Sequence, residues 1–135
     1  MRNNPFEGWE EIPKGAINSY DIDGVIYMGE HMDGLRPGPN DIVITGRSVE
    51  SREETERMLL SKGITNPLYM NNKSKSWNNR EQSGFHKGWT LFHLEQIGYR
   101  FNIHYDDDPV QIEKIKQMMP HIKIVHVNHD LVPKE

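Results

Sequence analysis

The sequence of 135 residues contains no cysteine. Disulfides and thiolate metal ligands are therefore excluded, which fits a reducing compartment and leads us to expect a cytoplasmic protein. No apolar run approaches the length of a membrane span, and the first residues lack the apolar core of a signal peptide. The net charge of −4 gives no bulk attraction to nucleic acid. We expect a soluble protein with no membrane partner, and the sequence does not predict its oligomeric state.

Hydrophobic residues make up only 35% of the chain and charged residues 27%. A chain of this length can bury one core but is too short for two comfortable domains. We therefore predict one domain over residues 1–135. Three peripheral segments are expected: an N-terminal arm at 1–15, which could pack through Phe6, Trp9 and Ile12, a small hairpin flap at 24–40, and a tail at 129–135.

Apolar runs bounded by turn residues predict a regular alternation of strands and helices. Strands are predicted at 16–20, 41–46, 67–70, 101–105 and 122–127. Helices are predicted at 48–62, with Ser48 or Ser51 as N-cap, at 86–97, with Trp89, Phe92 and Ile97 buried, and at 110–119. Residues 71–84 read as a long polar loop. This order predicts an α/β, Rossmann-like three-layer sandwich with a parallel five-stranded sheet between helices.

The first strand ends in two carboxylates one residue apart, Asp21 and Asp23, followed by Gly24. A glycine there indicates a turn, which would leave both carboxylates at the carboxyl end of the strand, where open α/β sheets bind ligands. Like charges this close repel unless a cation or a proton intervenes, and an all-oxygen pair suits Mg²⁺. The alternative is a strand that simply leads into an Asp-Gly turn.

Other strand ends and one helix carry further polar residues in a definite order along the chain. These are Thr45, Gly46 and Arg47 after the second strand, Lys87 at the predicted start of a helix, and Asp106, Asp107 and Asp108 after the fourth strand. The carboxyl ends of parallel strands share one sheet edge, so these side chains are expected to lie together. Asp108 has an alternative role as the N-cap of a helix starting at Pro109.

This set of motifs, in this order, resembles the haloacid dehalogenase-like superfamily of phosphotransferases. Its first motif appears as DIDGV, its second as DIVITGR, its third as the lysine in FHKGW, and its fourth as NIHYDDDP. The resemblance spans roughly residues 16–128. It implies a Mg²⁺-dependent phosphomonoester hydrolase that works through an aspartyl-phosphate.

The resemblance also implies a role for each matching residue. Asp21 would be the nucleophile, Asp23 the general acid and base, and Thr45 and Lys87 the catalytic phosphate contacts, with Gly46 and Arg47 also binding substrate. Mg²⁺ would be held by Asp21, the backbone carbonyl of Asp23, Asp106 and Asp107. Lys73 and Lys75, in the polar loop, are rivals of Lys87, and Asp108 is a rival metal ligand. His104 could line the lower pocket, although a hydrogen-bonded core histidine is the favoured interpretation.

Neither usual insertion point holds a cap domain, so the chain resembles capless members of the superfamily. Its ITGR segment and late acidic motif look similar to the phosphatase half of polynucleotide kinase-phosphatases. The expected substrate is a phosphorylated small molecule, a nucleotide or a nucleic-acid end, with Trp77 a candidate ligand contact. Two alternatives stay open: a catalytically weak, binding-only relative, and a receiver-like phospho-acceptor module.

Overall fold

Five strands and three helices alternate in the computed structural model, which describes residues 4–30 and 32–128. The predicted tail at 129–135, the first three residues of the arm and residue 31 of the flap lie outside the described residues. The elements are β1 Ile17–Tyr20, β2 Ile42–Ser48, α1 Arg52–Ser61, β3 Leu68–Asn71, α2 Arg80–Gln96, β4 Phe101–Asp106, α3 Pro109–Met118 and β5 Lys123–His126. Two 3₁₀ turns, Val49–Ser51 and Lys75–Trp77, precede α1 and α2.

The strands form one parallel sheet in the order β3-β2-β1-β4-β5, which confirms the predicted Rossmann-like α/β fold. In β1 the last residue, Tyr20, pairs with Val43 of β2 on one side and Tyr105 of β4 on the other. The chain thus leaves β1 towards one edge of the sheet and later returns to its opposite side. This reversal places a crevice at the carboxyl end of β1.

Each face of the sheet packs against its own layer of helices. Successive residues of β2 alternate faces, so Val43 packs with Leu59 of α1 whereas Ile44 packs with Leu91 of α2 and Ile115 of α3. Ile112 and Ile115 of α3 are buried, as is the arm residue Phe6, whose carbonyl accepts a hydrogen bond from the backbone of β3. The fold therefore has three layers, with the sheet between two layers of helices.

The second helix differs from its prediction in both its start and its buried face. It begins at Arg80, not at 86, because Asn79 caps it by accepting a hydrogen bond from Gln82 N. Trp89 and Ile97 are 39% and 62% exposed, so the prediction that they are buried was wrong, whereas Phe92 is half-buried and packs against the core. The buried face instead carries small or polar residues, which are Ser83, Gly84, Lys87 and Gly88, together with Leu91 and Leu94.

Glycines on this face let α2 approach α3 closely. A Cβ added to Gly84 would lie 2.8 Å from Gln111 Cα, and one on Gly88 would lie 2.7 Å from Met118 Sδ. Neither distance leaves room for a side chain. The close packing of these two helices positions the residues at their N-terminal ends, which lie beside the crevice.

The helix caps follow the predictions in part. Ser48 caps the 3₁₀ turn before α1, whereas Ser51 makes no side-chain capping hydrogen bond, so no capping box forms there. Gly63 ends α1 in the left-handed conformation at φ 72°, as glycine allows. Asp108 caps α3 by accepting from Val110 N, with Pro109 as the first helical residue. The predicted capping role of Asp108 is thus confirmed.

The flap is a short excursion beside the sheet. An antiparallel bridge joins Tyr27 to Asp33, and Leu35 N donates to Val25 O. Arg36 anchors the flap to the end of α1 through a hydrogen bond from Nη1 to Lys62 O of 2.6 Å. In the part of the chain that the structure describes, no separate cap domain covers the crevice. Within the ranges 4–30 and 32–128, no helix combines the length and apolar character needed to cross a membrane.

Candidate active site

Three carboxylates meet at the carboxyl ends of two neighbouring strands, β1 and β4. Asp21 follows β1, Asp106 ends β4 and Asp107 follows it, and one oxygen from each lies within 4.8 Å of the others. Asp21 is only 1% exposed and Asp106 is fully buried. A buried carboxylate cluster requires cations, and an all-oxygen donor set of this kind suits Mg²⁺. The residues present therefore fit the ion that the sequence predicts.

Lys87 supplies the buried cation of this cluster. Its side chain is fully buried, and Nζ lies 3.0 Å from Asp21 Oδ1 and 2.7 Å from Asp106 Oδ2. The prediction placed Lys87 at a helix start, but it lies two turns inside α2, on the face against the sheet. One ammonium does not balance three carboxylates, so the cluster keeps an excess of formal negative charge that favours a further cation.

His104 and Ser19 form a hydrogen-bonded pair next to Asp106. His104 Nε2 is 2.9 Å from Asp106 Oδ2, and His104 Nδ1 is 2.8 Å from Ser19 Oγ. An ionised carboxylate only accepts hydrogen bonds, so Nε2 carries the proton in this arrangement and Nδ1 accepts from the serine hydroxyl. Both side chains are fully buried. His104 is thus a hydrogen-bonded core histidine that orients Asp106, as the favoured interpretation held.

Asp23 forms a two-pronged ion pair with Arg47 across the mouth of the crevice. Arg47 Nε donates to Asp23 Oδ2 at 2.9 Å and Nη2 donates to Oδ1 at 2.7 Å. These hydrogen bonds raise the pKa of Arg47 above its ordinary value, against the opposing effect of burial. A third donation, Nη1 to Thr55 Oγ1, fixes the guanidinium against α1. Arg47 therefore contacts the candidate acid-base residue directly.

The peptide between Gly46 and Arg47 is held at both ends. Arg47 N donates to Thr45 Oγ1 at 3.0 Å, and Gly46 O accepts from Asn78 Nδ2 at 2.6 Å. Ser83 Oγ in turn donates to Asn78 Oδ1 at 2.7 Å. Because Thr45 Oγ accepts from Arg47, its own proton is directed elsewhere, and the side chain is available to donate to a ligand.

All five predicted residues of the first two motifs line one cleft of about 300 Å³, and these are Asp21, Asp23, Thr45, Gly46 and Arg47. The cleft is completed by Ser48, Ser51 and Glu54, from the segment that runs from the end of β2 into α1, and by Lys75, Asn78, Ser83 and Gln111 from the α2–α3 side. Sequence reasoning missed most of the second set. Asn79 followed by Gln82 is the sequence pattern of a helix start. With α2 predicted to begin there, Asn78 and Ser83 would have been predicted to lie at the sheet edge.

The alternative site residues, Lys73, Lys75 and Asp108, lie in different places relative to the cleft. Lys75 lines the outer cleft, and its backbone N donates to Glu50 Oε1, whereas Lys73 is exposed and is not among the lining residues. Asp108 pairs with Arg80, whose Nε lies 3.0 Å from Asp108 Oδ2, and it is not in the carboxylate cluster. Burial opposes ionisation of Asp108, but hydrogen bonds from Arg80 and Val110 N outweigh it and lower its pKa.

Comparison of the chain with family models, curated proteins and solved structures finds no match. Any functional assignment therefore depends on the geometry of the cleft and on the motifs of the sequence.

Proposed function

We propose that the protein is a Mg²⁺-dependent phosphomonoester hydrolase that acts through an aspartyl-phosphate on Asp21, in the manner of a capless haloacid dehalogenase-like enzyme. One observation carries the proposal: Asp21, Asp106 and Asp107 gather within 4.8 Å at the carboxyl edge of the sheet, with Lys87 Nζ 3.0 Å from Asp21. The expected substrate is a phosphorylated small molecule, a nucleotide or a nucleic-acid end.

Asp21, Asp106, Asp107 and the backbone carbonyl of Asp23 would hold the ion. When bound, Mg²⁺ supplies positive charge to the phosphate oxygens and so lets an anionic nucleophile approach a dianionic substrate. Lys87 fixes the carboxylate of Asp21 in place and adds to that positive charge. Thr45 is available to donate a hydrogen bond to an equatorial oxygen of the phosphoryl group.

In the first step an Asp21 oxygen attacks phosphorus, and the bond from phosphorus to the ester oxygen breaks. The leaving oxygen takes a proton from Asp23. In the second step Asp23 takes a proton from water, the water oxygen attacks phosphorus, and the acyl-phosphate bond breaks to release inorganic phosphate and Asp21. The atoms balance as hydrolysis of one phosphomonoester by one water.

The pairing of Asp23 with Arg47 bears on the first step. A two-pronged guanidinium contact favours the ionised carboxylate. Arg47 has to loosen that contact before Asp23 can donate a proton, and the phosphate of an arriving substrate is a competing anion for it. Arg47 would thus bind the phosphate of the substrate and, by the same movement, free the carboxylate of Asp23 to act as the acid. Both effects agree with the predicted role of Arg47 in substrate binding.

The test is turnover of p-nitrophenyl phosphate with and without Mg²⁺. We expect many turnovers per protein molecule in millimolar Mg²⁺ and none in excess chelator, with activity restored when Mg²⁺ is added back. A single stoichiometric phosphorylation would indicate the phospho-acceptor alternative, and no reaction with any phosphomonoester would indicate a binding-only relative. Full activity in excess chelator would contradict the metal assignment.

A further inference from the structure

A continuous chain of buried polar side chains lies next to the carboxylate cluster. Ser19 Oγ is 2.8 Å from His104 Nδ1, and His104 Nε2 is 2.9 Å from Asp106 Oδ2. The same oxygen of Asp106 lies 2.7 Å from Lys87 Nζ, which is 3.0 Å from Asp21 Oδ1. The chain of contacts therefore begins on β1 at Ser19 and ends at Asp21, the residue that directly follows the same strand.

Ser19 and His104 occupy positions of the sheet where apolar residues would serve the fold equally well. Both are fully buried. Ser19 pairs with Ile42 of β2 and therefore faces the same side of the sheet as Ile44, which packs in the core with α2 and α3. Replacing both partners of a buried hydrogen bond by apolar groups of the same shape can leave stability nearly unchanged. Stability alone therefore gives no reason for a polar pair at this place.

The pairing of β1 with β4 shows how His104 reaches this place. Ile17 pairs with Phe101 and the next pair is Ser19 with His104, so β4 has one extra residue between the two pairs. With regular pairing, Ile103 would lie opposite Ser19. Irregularities of this kind are common next to active sites, where they redirect a side chain. Here the extra residue brings a histidine beside Ser19 in place of an isoleucine.

The two oxygens of Asp106 have different surroundings. Oδ2 accepts hydrogen bonds from both Lys87 Nζ and His104 Nε2. Oδ1 accepts a hydrogen bond from the backbone N–H of Asp108 at 3.2 Å. Two donors occupy the two lone pairs of Oδ2, so an ion held by Asp106 would contact Oδ1. The donors on Oδ2 also oppose rotation of the carboxylate group.

We propose that His104, supported by Ser19, is a positioning residue for the metal site. It fixes the carboxylate of Asp106 so that Oδ2 holds Lys87 against Asp21 and Oδ1 is directed to Mg²⁺. His104 acts only through Asp106 and touches neither the ion nor the substrate. Hydrogen-bond partners of this kind orient metal ligands, and their loss typically lowers metal affinity by roughly ten- to a hundredfold. The inference rests on the proposed function, because it assumes that the cluster holds Mg²⁺.

The first test measures Mg²⁺ binding to the metal-free protein by calorimetry, without substrate. Methionine is close to histidine in size and lacks an N–H, so His104→Met should bind Mg²⁺ roughly ten- to a hundredfold more weakly. Glutamine can place its amide N–H where His104 has Nε2, so His104→Gln should bind Mg²⁺ nearly as tightly as the wild-type protein. His93→Met, at an exposed position of α2, is the matched control and should leave the affinity unchanged.

The second test uses Ser19→Ala, which is a smaller change in the same pair. It removes the donor that orients the imidazole ring, so Mg²⁺ binding should weaken in the same direction as in His104→Met but by less. Urea unfolding in excess chelator should show a cooperative transition in each variant, which separates a loss of positioning from a loss of fold. If His104→Met does not fold, Ser19→Ala decides the question by itself.

Wild-type Mg²⁺ affinity in folded His104→Met overturns this inference, and so does an equal loss of affinity in His104→Met and His104→Gln. Wild-type affinity in Ser19→Ala overturns the supporting role of the serine, and the whole inference where Ser19→Ala is the deciding variant. If the wild-type protein binds no Mg²⁺, the metal assignment of the proposed function fails and this inference fails with it. If Mg²⁺ binds but no phosphomonoester is hydrolysed, the proposed reaction fails, and the variants still decide the role of His104.

Discussion

Among single residues, Asp23 has the surroundings that most constrain the proposed chemistry. Its carboxylate accepts two hydrogen bonds from Arg47, so it is held as an anion and faces the cleft. An anion is ready to take a proton from water but must first gain one to act as an acid. The two steps of hydrolysis therefore place different demands on this residue.

Replacing Asp23 by Asn should slow turnover of alkyl phosphates by roughly a hundred- to ten-thousand-fold, the usual value of general acid-base catalysis. The loss should be smaller for the formation step with aryl phosphates, because an aryl oxide needs little protonation as it leaves. Rapid-quench kinetics on an alkyl and an aryl substrate measure both steps, and calorimetry measures Mg²⁺ affinity. A uniform loss across leaving groups with weakened Mg²⁺ binding would show that the side chain is a metal ligand instead.

The residues of the site differ in how well the sequence predicts their positions. Asp21, Thr45 and Asp106 could be predicted because each follows an apolar run, and parallel strands end at a common edge. Gln111 could not, because its place in the cleft depends on how closely α2 and α3 pack at Gly84. That packing involves residues far apart in the chain, and no local pattern encodes it.

At the scale of elements, α2 packs on the sheet through a histidine that stays neutral. Burial, and then the nearby ammonium of Lys87, lower the pKa of His86 from 6.5 to about 4. His86 therefore takes up a proton near pH 6.5 in the unfolded chain but only near pH 4 in the folded chain. The stability of the fold is unaffected by this group above pH 6.5 and falls as the pH drops through that window.

Urea unfolding should show this loss as about 2 kcal/mol of unfolding free energy between pH 7 and pH 5 from His86 alone. The variant His86→Gln should lack that part of the pH dependence, whereas His93→Gln, at an exposed position of the same helix, should retain it. An unchanged pH dependence in His86→Gln would show that the ring is already protonated, or solvated, in the folded protein.

The same helix shows why its start and part of its buried face were mispredicted. The hydrophobicity of Trp89 favoured it as a core residue. The face of α2 towards α3, however, has room only for very small residues, and these are the glycines at 84 and 88. The start was missed because a polar stretch with Asn79 reads as a loop unless its capping hydrogen bond is recognised. Packing between helices overrode the apolar pattern.

At the scale of the whole molecule, the alternation of apolar strands and helices predicted the parallel sheet, and the structure confirms it. The pattern did not predict the strand order, because strand adjacency depends on which side each crossover takes. That order matters for function, because β1 lies between β2 and β4. Asp21, directly after β1, therefore shares a cleft with Thr45 of β2 and a carboxylate cluster with Asp106 of β4.

The central claim, that Asp21 carries a phosphoryl group during turnover, is tested most directly by trapping it. The protein is mixed with substrate and Mg²⁺, quenched in the steady state and reduced with borohydride, which converts an aspartyl-phosphate to homoserine. Peptide mass spectrometry should find homoserine at position 21, and neither the chelated protein nor Asp21→Asn should show it. Homoserine at another aspartate, or turnover that persists in Asp21→Asn, would contradict the account.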